Sequence, residues 1–221
     1  MRLSGRRAII RAGGAFFKKK KMGMRKIFLA CVAVMVGVTA MADERSEAML
    51  KRVAEYVKAL GAYEAEFAVG AGDYSTTGRN VVDGDAYHIV VDRAEVYSDG
   101  RVRYEVDHER REINVDQMDL ASRNIMDNPT RCFDFVGAEY RSEWVSEDGR
   151  TVTLHLRSAD EAVEGDIYLT VRQASGQPEK IVYHLYDDRI EVDVKKIESR
   201  KGGVKSFREA DFRGYDIVDF R

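Results

Sequence analysis

Strict alternation of apolar and charged residues is the pattern that most limits how this chain can fold. It is strongest in the stretch EVYSDGRVRYEVDHERREINV, residues 95–115. Read with a period of two, one side carries Val102, Tyr104 and Val106, and the other carries Arg101, Arg103 and Glu105. Asp99-Gly100 and the charged run 107–111 have the composition of turns. The stretch therefore predicts a β-strand between two turns, with one apolar and one charged face.

The same alternation continues along most of the chain. It is found at 63–69, 87–91, 113–115, 152–156, 167–171, 181–185 and 190–194. Short stretches rich in Asp and Gly separate several of these runs, as hairpin turns do. One-sided alternation at regular spacing predicts an antiparallel meander, and hence a mainly β (α+β) fold built on one long curved sheet with a single apolar face.

Two segments depart from the period of two. SEAMLKRVAEYVKALG, residues 46–61, places its apolar residues on one helical face and ends in a glycine. Residues 128–137 begin with Asn128-Pro129, a pair typical of a helix start. This second segment carries three apolar residues: Phe133, Phe135 and Val136. We expect an unclosed antiparallel β-barrel with an N-terminal helix and a short helical lid, in which Phe133 and Phe135 point to different sides.

The first 42 residues have the composition of an export signal. They contain ten Lys or Arg and no acidic residue, with KKKKMGMRK preceding the apolar run 27–38. Ala40 and Ala42 occupy the small-residue positions of a cleavage site. This pattern predicts a signal peptide at 1–42, a single domain at 43–221 and a periplasmic location. The usual length of signal peptides favours translation from Met24, which would make residues 1–23 a start-site artefact.

The charge of the remaining 179 residues limits their partners. Without the ten basic residues of the leader, 26 Lys and Arg remain against 38 Asp and Glu, so the formal charge is −12. Such a surface disfavours nucleic acids and anionic lipid head groups. Cys132 is then the single cysteine, which excludes an intramolecular disulfide and favours a small buried apolar side chain.

Sequence signatures of catalysis are missing. The chain has no G-x-S-x-G, no G-x-x-x-x-G-K and no G-x-G-x-x-G motif. The four histidines lack metal-ligand spacing, and His88, His155 and His184 alternate with apolar residues, so we expect these three to face water. We therefore expect neither an enzyme nor a cofactor or metal.

Bulky apolar residues on the alternating strands and in the lid are the candidate functional residues. We expect these nine to line a cavity for a long apolar ligand: Phe67, Tyr87, Ile89, Tyr97, Tyr104, Val106, Phe133, Phe135 and Trp144. On this interpretation Tyr104→Asp abolishes lipid uptake, whereas Arg103→Asp, on the charged face, leaves it largely intact. The alternative is a closed core, in which the same residues only fill the protein.

Several stretches resemble the outer-membrane lipoprotein carrier family, LolA. GRNVVDGDAYHIVVDRAEVYSDGRVRYEVDHERREINVDQ (78–117) is similar to that family's glycine-led strand followed by a hairpin of the form V-SDGK-x-W-x-Y. The ending FREADFRGYDIVDFR (207–221) and the helix after the signal peptide also match. One feature differs: where many members have a basic residue, this chain has Val82-Asp83-Gly84-Asp85. The arginine that gates the lid in the family therefore cannot be carried over to any position of this sequence.

The resemblance implies a fold, an activity and partners. Members are unclosed antiparallel β-barrels with a helical lid, and they carry the acyl chains of lipoproteins across the periplasm. The partners implied are an inner-membrane ABC exporter and an outer-membrane acceptor, with the carrier itself a monomer. The alternatives are a binding protein for another lipid or apolar ligand, and an envelope scaffold that binds no ligand.

Overall fold

The structure is a computed structural model that describes residues 44–160, 165–185 and 188–221. The predicted signal peptide at 1–42 lies outside these residues. Within the described ranges no helix is long and apolar enough to cross a membrane.

The described chain consists of one α-helix, one short 3-10 helix at Glu209–Asp211 and twelve β-strands. The α-helix, α1, is Glu44–Leu60, which confirms the predicted N-terminal helix. The strands are β1 Tyr63–Ala71, β2 Tyr74–Asp83, β3 Ala86–Val91, β4 Ala94–Ser98, β5 Val102–Asp107, β6 Glu112–Gln117, β7 Tyr140–Glu147, β8 Thr151–Ser158, β9 Asp166–Arg172, β10 Pro178–Leu185, β11 Asp188–Ser199 and β12 Asp216–Asp219.

All twelve strands belong to one sheet with the order β12-β6-β5-β4-β3-β2-β1-β11-β10-β9-β8-β7. Two antiparallel meanders, β1 to β6 and β7 to β11, are joined where β1 pairs with β11. Strand β12 adds a short parallel pair to β6. Because β7 and β12 occupy the two ends of the strand order, the sheet does not close on itself. The mainly β, unclosed architecture predicted from the alternation is confirmed.

The turns follow from local side-chain chemistry. The Asp99 carboxylate accepts hydrogen bonds from the backbone N–H groups of Arg101 and Val102, both at 2.9 Å. Gly100 adopts a φ of 88°, which a residue with a side chain rarely reaches. The Asp-Gly pair therefore reverses the chain between β4 and β5, as its sequence predicts.

Helix α1 covers one face of the sheet near the β7 edge. Its buried residues are Ser46, Met49, Leu50 and Val53, which lie on one helical face. The Ser46 hydroxyl lies 2.7 Å from that of Ser142 in β7. At the other end of the buried face, the Arg52 guanidinium donates to the carbonyl of Ala174, in the β9–β10 turn, at 2.8 Å. We call the face of the sheet that α1 covers the inner face.

The predicted short helix over 128–137 is not present, and that prediction was wrong. Residues 118–139, which we call the cover segment, form successive turns between β6 and β7. The backbone bonds Arg131 N–H to Asn128 C=O at 3.1 Å and Asp134 N–H to Arg131 C=O at 2.9 Å each span three residues, as in turns. A helix of this length is only marginally stable by itself, so tertiary contacts determine the course of the segment.

Candidate functional site

The inner face is a continuous apolar surface over the centre of the sheet. Register places Tyr63, Val82 and Tyr87 side by side across β1, β2 and β3, and cross-strand neighbours share a face. Inward residues of β8 to β11 continue the surface: Val152, Leu154, Leu156, Ile167, Leu169, Val171, Ile181, Tyr183 and Val192. Together with α1 and part of the cover segment they form the main core of the protein.

Six of the nine predicted site residues belong to this inner core: Phe67, Tyr87, Ile89, Phe133, Phe135 and Trp144. The first five are almost fully buried, whereas Trp144 is partly exposed and lies under the guanidinium of Arg45, 4.7 Å from the ring centre. Phe133 and Phe135 are both buried, and the Phe135 ring packs edge-to-face against Tyr140 of β7 with ring centres 5.2 Å apart. Turns, unlike a helix, let residues two apart face the same core.

The other three predicted site residues, Tyr97, Tyr104 and Val106, lie on the opposite, outer face. Register pairs Tyr97 with both His88 and Tyr104, so these three share a face that excludes Tyr87. This face carries a separate apolar cluster, against which Tyr104 packs. Its buried members are Tyr97, Val106, Ile113, Val115 and Phe212. The single apolar face predicted for the whole sheet is therefore wrong for β4 to β6.

The apolar residues of β4 to β6 change from the inner to the outer face for a local reason in β4. Val96 and Tyr97 are adjacent and both buried, so alternation does not decide which of them points inward. Val96 is paired with Ile89 and takes the inner side, which sends Tyr97 and then Tyr104 outward. Arg103 consequently faces inward, and the faces expected for Arg103 and Tyr104 were wrong.

The C-terminal segment, residues 200–221, covers the outer cluster. The Phe207 ring stacks on Tyr104 with ring centres 4.1 Å apart, and Phe212 packs against Phe207 at 5.4 Å. The Tyr215 hydroxyl lies 3.0 Å from Nδ1 of His108. Tyr104, predicted as part of the ligand cavity, is thus a packing partner of the chain's own C-terminal segment.

One carboxylate, that of Glu95, joins this segment to the outer face of β4. Its oxygens accept hydrogen bonds from Tyr97, from Lys205 of the C-terminal segment at 3.1 Å, and lie 2.8 and 3.0 Å from the rings of His88 and His108. Burial opposes ionisation, but these four partners together lower the pKa of Glu95 to about 2.

The inner core is covered by residues 118–139, and three tyrosines hold this cover segment in place. Tyr63 in β1 donates to the carbonyl of Pro129 at 3.0 Å, Tyr87 in β3 to that of Asp127 at 2.8 Å, and Tyr183 in β10 to that of Arg123 at 3.1 Å. The Tyr183 oxygen also accepts from the Ile125 N–H at 3.2 Å. We call these three residues the tyrosine latches.

The latches remain protonated donors throughout the physiological pH range. Burial raises the pKa of Tyr87 to about 12 and raises the pKa values of Tyr63 and Tyr183 well above their usual range. The cover segment is therefore attached to the sheet through side-chain hydroxyls and apolar contacts rather than through a strand ladder. The apolar residues that it buries are Ile125, Cys132, Phe133 and Phe135.

Arg123 stabilises the cover segment from within. It is buried, and its guanidinium donates to the carbonyls of Asp134 at 2.7 Å and Ala121 at 2.9 Å and to the carboxylate of Glu139. It thus links both halves of the segment into one unit. Sequence reasoning missed Arg123 because an arginine in a loop is usually exposed, and no periodicity surrounds it.

Cys132 and the histidines have structural surroundings. Cys132 is free and fully buried, burial raises the pKa of its thiol, and its Sγ lies 3.2 Å from the Pro129 carbonyl oxygen. His155 does not face water as expected, because Tyr168 stacks on it and Asp166 lies 2.9 Å away. Among the described residues no group of His, Cys, Asp and Glu could hold a metal ion.

Among the described residues, two of the surface cavities have volumes of ≈ 390 and ≈ 540 Å³. The first is lined by Arg79, His88, Glu95 and Lys205 among others, and the second by Arg52, Arg150 and Arg172. Neither is lined by any of the nine predicted site residues. In this structure the inner face is occupied by α1 and by side chains of the cover segment.

Comparisons with known proteins give structural neighbours alone. No protein-family model and no curated protein matches this chain. An uncharacterised conserved protein from Thermus thermophilus is similar at a TM-score of 0.51 with 9% identity, over 80% of this chain and 99% of that one. A LolA superfamily protein from Nitrosomonas europaea is similar at a TM-score of 0.38 with 10% identity, over 76% and 96%.

LprF from Mycobacterium bovis is similar at a TM-score of 0.42 with 9% identity, over 75% of this chain and 98% of that one. At such identities the neighbours bear on the fold alone, and the Thermus thermophilus protein shares it over nearly its whole length. The unclosed antiparallel sheet with one N-terminal helix is the architecture that the sequence resemblance implied. The inner face of this unclosed sheet, under the cover segment, is the candidate functional site.

Proposed function

We propose that this LolA-like protein binds the acyl chains of lipoproteins on its inner face and carries them across the periplasm. The observation that carries the proposal is the way the apolar inner face is covered. The cover segment is held by three tyrosine hydroxyls and a few buried side chains, with backbone bonds to the sheet at its two ends, from Met118 to Arg101 and from Ala159 to Glu139. A cover attached in this way can be displaced while the sheet stays intact.

The free energy gained by burying the apolar side chains of the cover segment is comparable with that gained by burying an acyl chain, which favours exchange of one for the other. Burying a methylene is worth about 0.8 kcal/mol, so a 16-carbon chain gains on the order of 12 kcal/mol when it leaves water. Burial of Ile125, Phe133 and Phe135 is worth roughly 1.5–3 kcal/mol for each side chain. An acyl chain that takes their place recovers the lost apolar contacts, and the displaced segment opens a route to the sheet.

The partners follow from the same proposal. A carrier of this kind receives lipoproteins from an inner-membrane ABC exporter and delivers them to an outer-membrane acceptor, and we expect it to act as a monomer without a cofactor. Its charge of −12 after removal of the leader keeps the carrier from adhering to anionic membrane surfaces.

A release assay separates this proposal from its alternatives. Purified protein is incubated with spheroplasts that retain newly made lipoproteins, and binding of a synthetic diacyl lipopeptide is measured separately by native mass spectrometry. A carrier brings lipoprotein into the soluble fraction and binds the lipopeptide. A binding protein for another lipid does not release lipoprotein.

A scaffold with a filled core is the second candidate, because the inner face is fully occupied by the chain's own side chains in this structure. It would neither release lipoprotein nor bind the lipopeptide. That double negative result would replace the carrier proposal with the scaffold.

A further inference from the structure

Asn80 in β2 is a polar side chain in an apolar place. Its register partners are Ala65 in β1 and Ile89 in β3, both of the inner core, so the carboxamide points to the inner face. The residue is fully buried. Neither Nδ2 nor Oδ1 has a hydrogen-bond partner among the described residues.

An unpaired buried carboxamide is costly, because it has given up its hydrogen bonds to water without replacement. Nearly all buried polar groups in proteins are paired, so an exception calls for a reason. A leucine or valine would fill the position with less loss. Residues that break such a rule often belong to functional sites.

The unpaired atoms are concentrated on one face. In the described chain, three buried side-chain atoms lack a partner: both amide atoms of Asn80 and Nε of Arg103. Arg103 also faces inward, since it is paired with Ser98, which in turn is paired with Tyr87. By contrast, His155, a buried polar side chain on the outer face, lies 2.9 Å from the Asp166 carboxylate.

The immediate surroundings of Asn80 on the sheet are small. Across β1 lies the methyl group of Ala65, and two residues earlier on the same strand lies Gly78. The Phe67 ring occupies the space above Gly78, where an added Cβ would lie 2.5 Å from it. Asn80 therefore sits beside the apolar residues Phe67 and Ile89 with no bulky side chain opposite it on β1.

We propose that the Asn80 carboxamide hydrogen-bonds the ester or amide groups that link acyl chains to the polar part of a bound lipid. Nδ2 donates to a carbonyl oxygen, and Oδ1 accepts from an amide N–H. The hydrocarbon then packs along Phe67 and Ile89. This assignment rests on the proposed function and adds to it the residue that recognises the ester or amide linkage of the acyl chains.

A pair of probes tests the assignment. One is a synthetic lipopeptide with two ester-linked palmitoyl chains, and the other is its dialkyl ether analogue, which lacks the carbonyls. The wild-type protein should bind the ester about three- to tenfold more tightly, the usual worth of one hydrogen bond. Asn80→Leu should bind both probes equally while its unfolding midpoint stays the same or rises. If the leucine variant does not fold, Asn80→Ala is used in its place with the same expected result.

Thr153→Val is the matched control, since it removes a polar group from the outer face, where Thr153 bonds to Thr170 at 3.0 Å. It should keep the preference for the ester. If the wild-type protein binds both probes equally, or if Asn80→Leu retains the preference, the assignment of Asn80 is wrong and the carrier proposal stands. If the wild-type protein binds neither probe, the carrier proposal is wrong and the assignment falls with it.

Discussion

The Tyr183 hydroxyl makes two hydrogen bonds: it donates to the Arg123 carbonyl and accepts from the Ile125 N–H. Tyr183→Phe leaves both backbone groups buried and unpaired. We expect it to lower the free energy of unfolding by about 1–3 kcal/mol. Urea unfolding measures this, with Tyr168→Phe on the outer face of β9 as the control. Equal losses in the two variants would show that the latch contributes nothing of its own.

Gly78 is required by packing and not by a turn. A Cβ at this position would lie 2.5 Å from the ring of Phe67 and 2.6 Å from Val91, both in the inner core. We expect Gly78→Ala to destabilise the fold by about 1–3 kcal/mol, as overpacking does. Gly70→Ala in β1 is the control, because its nearest contact would be 4.0 Å away. A neutral result for both variants would contradict this packing account.

Residue-scale prediction from the sequence succeeded where a strand alternates cleanly. The burial of Phe67 and Ile89 follows from the period of two within β1 and β3. It failed at Tyr104, because the adjacent apolar residues Val96 and Tyr97 do not show which of the two points inward, and the face of Tyr104 depends on that choice. Asn80 had no sequence signal, since a buried unpaired amide is recognised only when its neighbours in space are known.

The cover segment is the element on which ligand access depends. Tyr87→Phe removes the 2.8 Å bond to the Asp127 carbonyl and so favours the displaced state of the segment. Apparent affinity rises with the fraction of molecules that can bind. We therefore expect about two- to tenfold tighter binding of a diacyl lipopeptide, measured by titration calorimetry. Tyr168→Phe should leave the affinity unchanged, and weaker binding by Tyr87→Phe would argue against a displaceable cover.

The C-terminal segment should loosen in acid. The pKa of Glu95 in the folded protein, about 2, lies below its usual value of 4.5, so the charged carboxylate stabilises the folded state. This contribution is complete above pH 4.5 and is lost as the pH falls towards 2. Burial also lowers the pKa of His88, so its protonation in acid acts in the same direction.

Glu95→Gln tests this pH dependence. The variant should be less stable than wild type at neutral pH and should lose less stability between about pH 4.5 and 2, as followed by hydrogen exchange of residues 200–221. Glu109→Gln is the control, because Glu109 is exposed and its ion pair, at 3.0 Å, is with the exposed Arg93. An unchanged acid response in Glu95→Gln would show that another group controls the segment.

Long elements could be predicted from the sequence, and short ones could not. The helix over 44–60 and the strands with clean alternation are determined by periodicity that extends over several residues. The segment 128–137 carries the Asn-Pro start signal of a helix, but it is only ten residues long. Its course depends on contacts with tyrosines 63, 87 and 183, which lie far away in the sequence.

At the scale of the whole molecule, one sheet carries an apolar cluster on each of its two faces. The inner cluster is covered by α1 and residues 118–139, and the outer cluster by residues 200–221. The unclosed antiparallel sheet was predicted from the alternation, but its strand order was not, because a single meander does not pair β1 with β11. The division of the apolar residues between two faces was not predicted either, since both clusters show the same alternation and only the pairing register distinguishes them.

We expect the cover segment to be displaced by a ligand while the sheet stays intact. Hydrogen exchange of the protein with and without a diacyl lipopeptide distinguishes the two regions. Without ligand, residues 118–139 should exchange faster than strands β8 to β10, and adding the lipopeptide should change exchange in the cover segment while those strands stay protected. Protection of residues 118–139 equal to that of the strands, and unaffected by the lipopeptide, would contradict the account and identify the segment as a permanent part of the core.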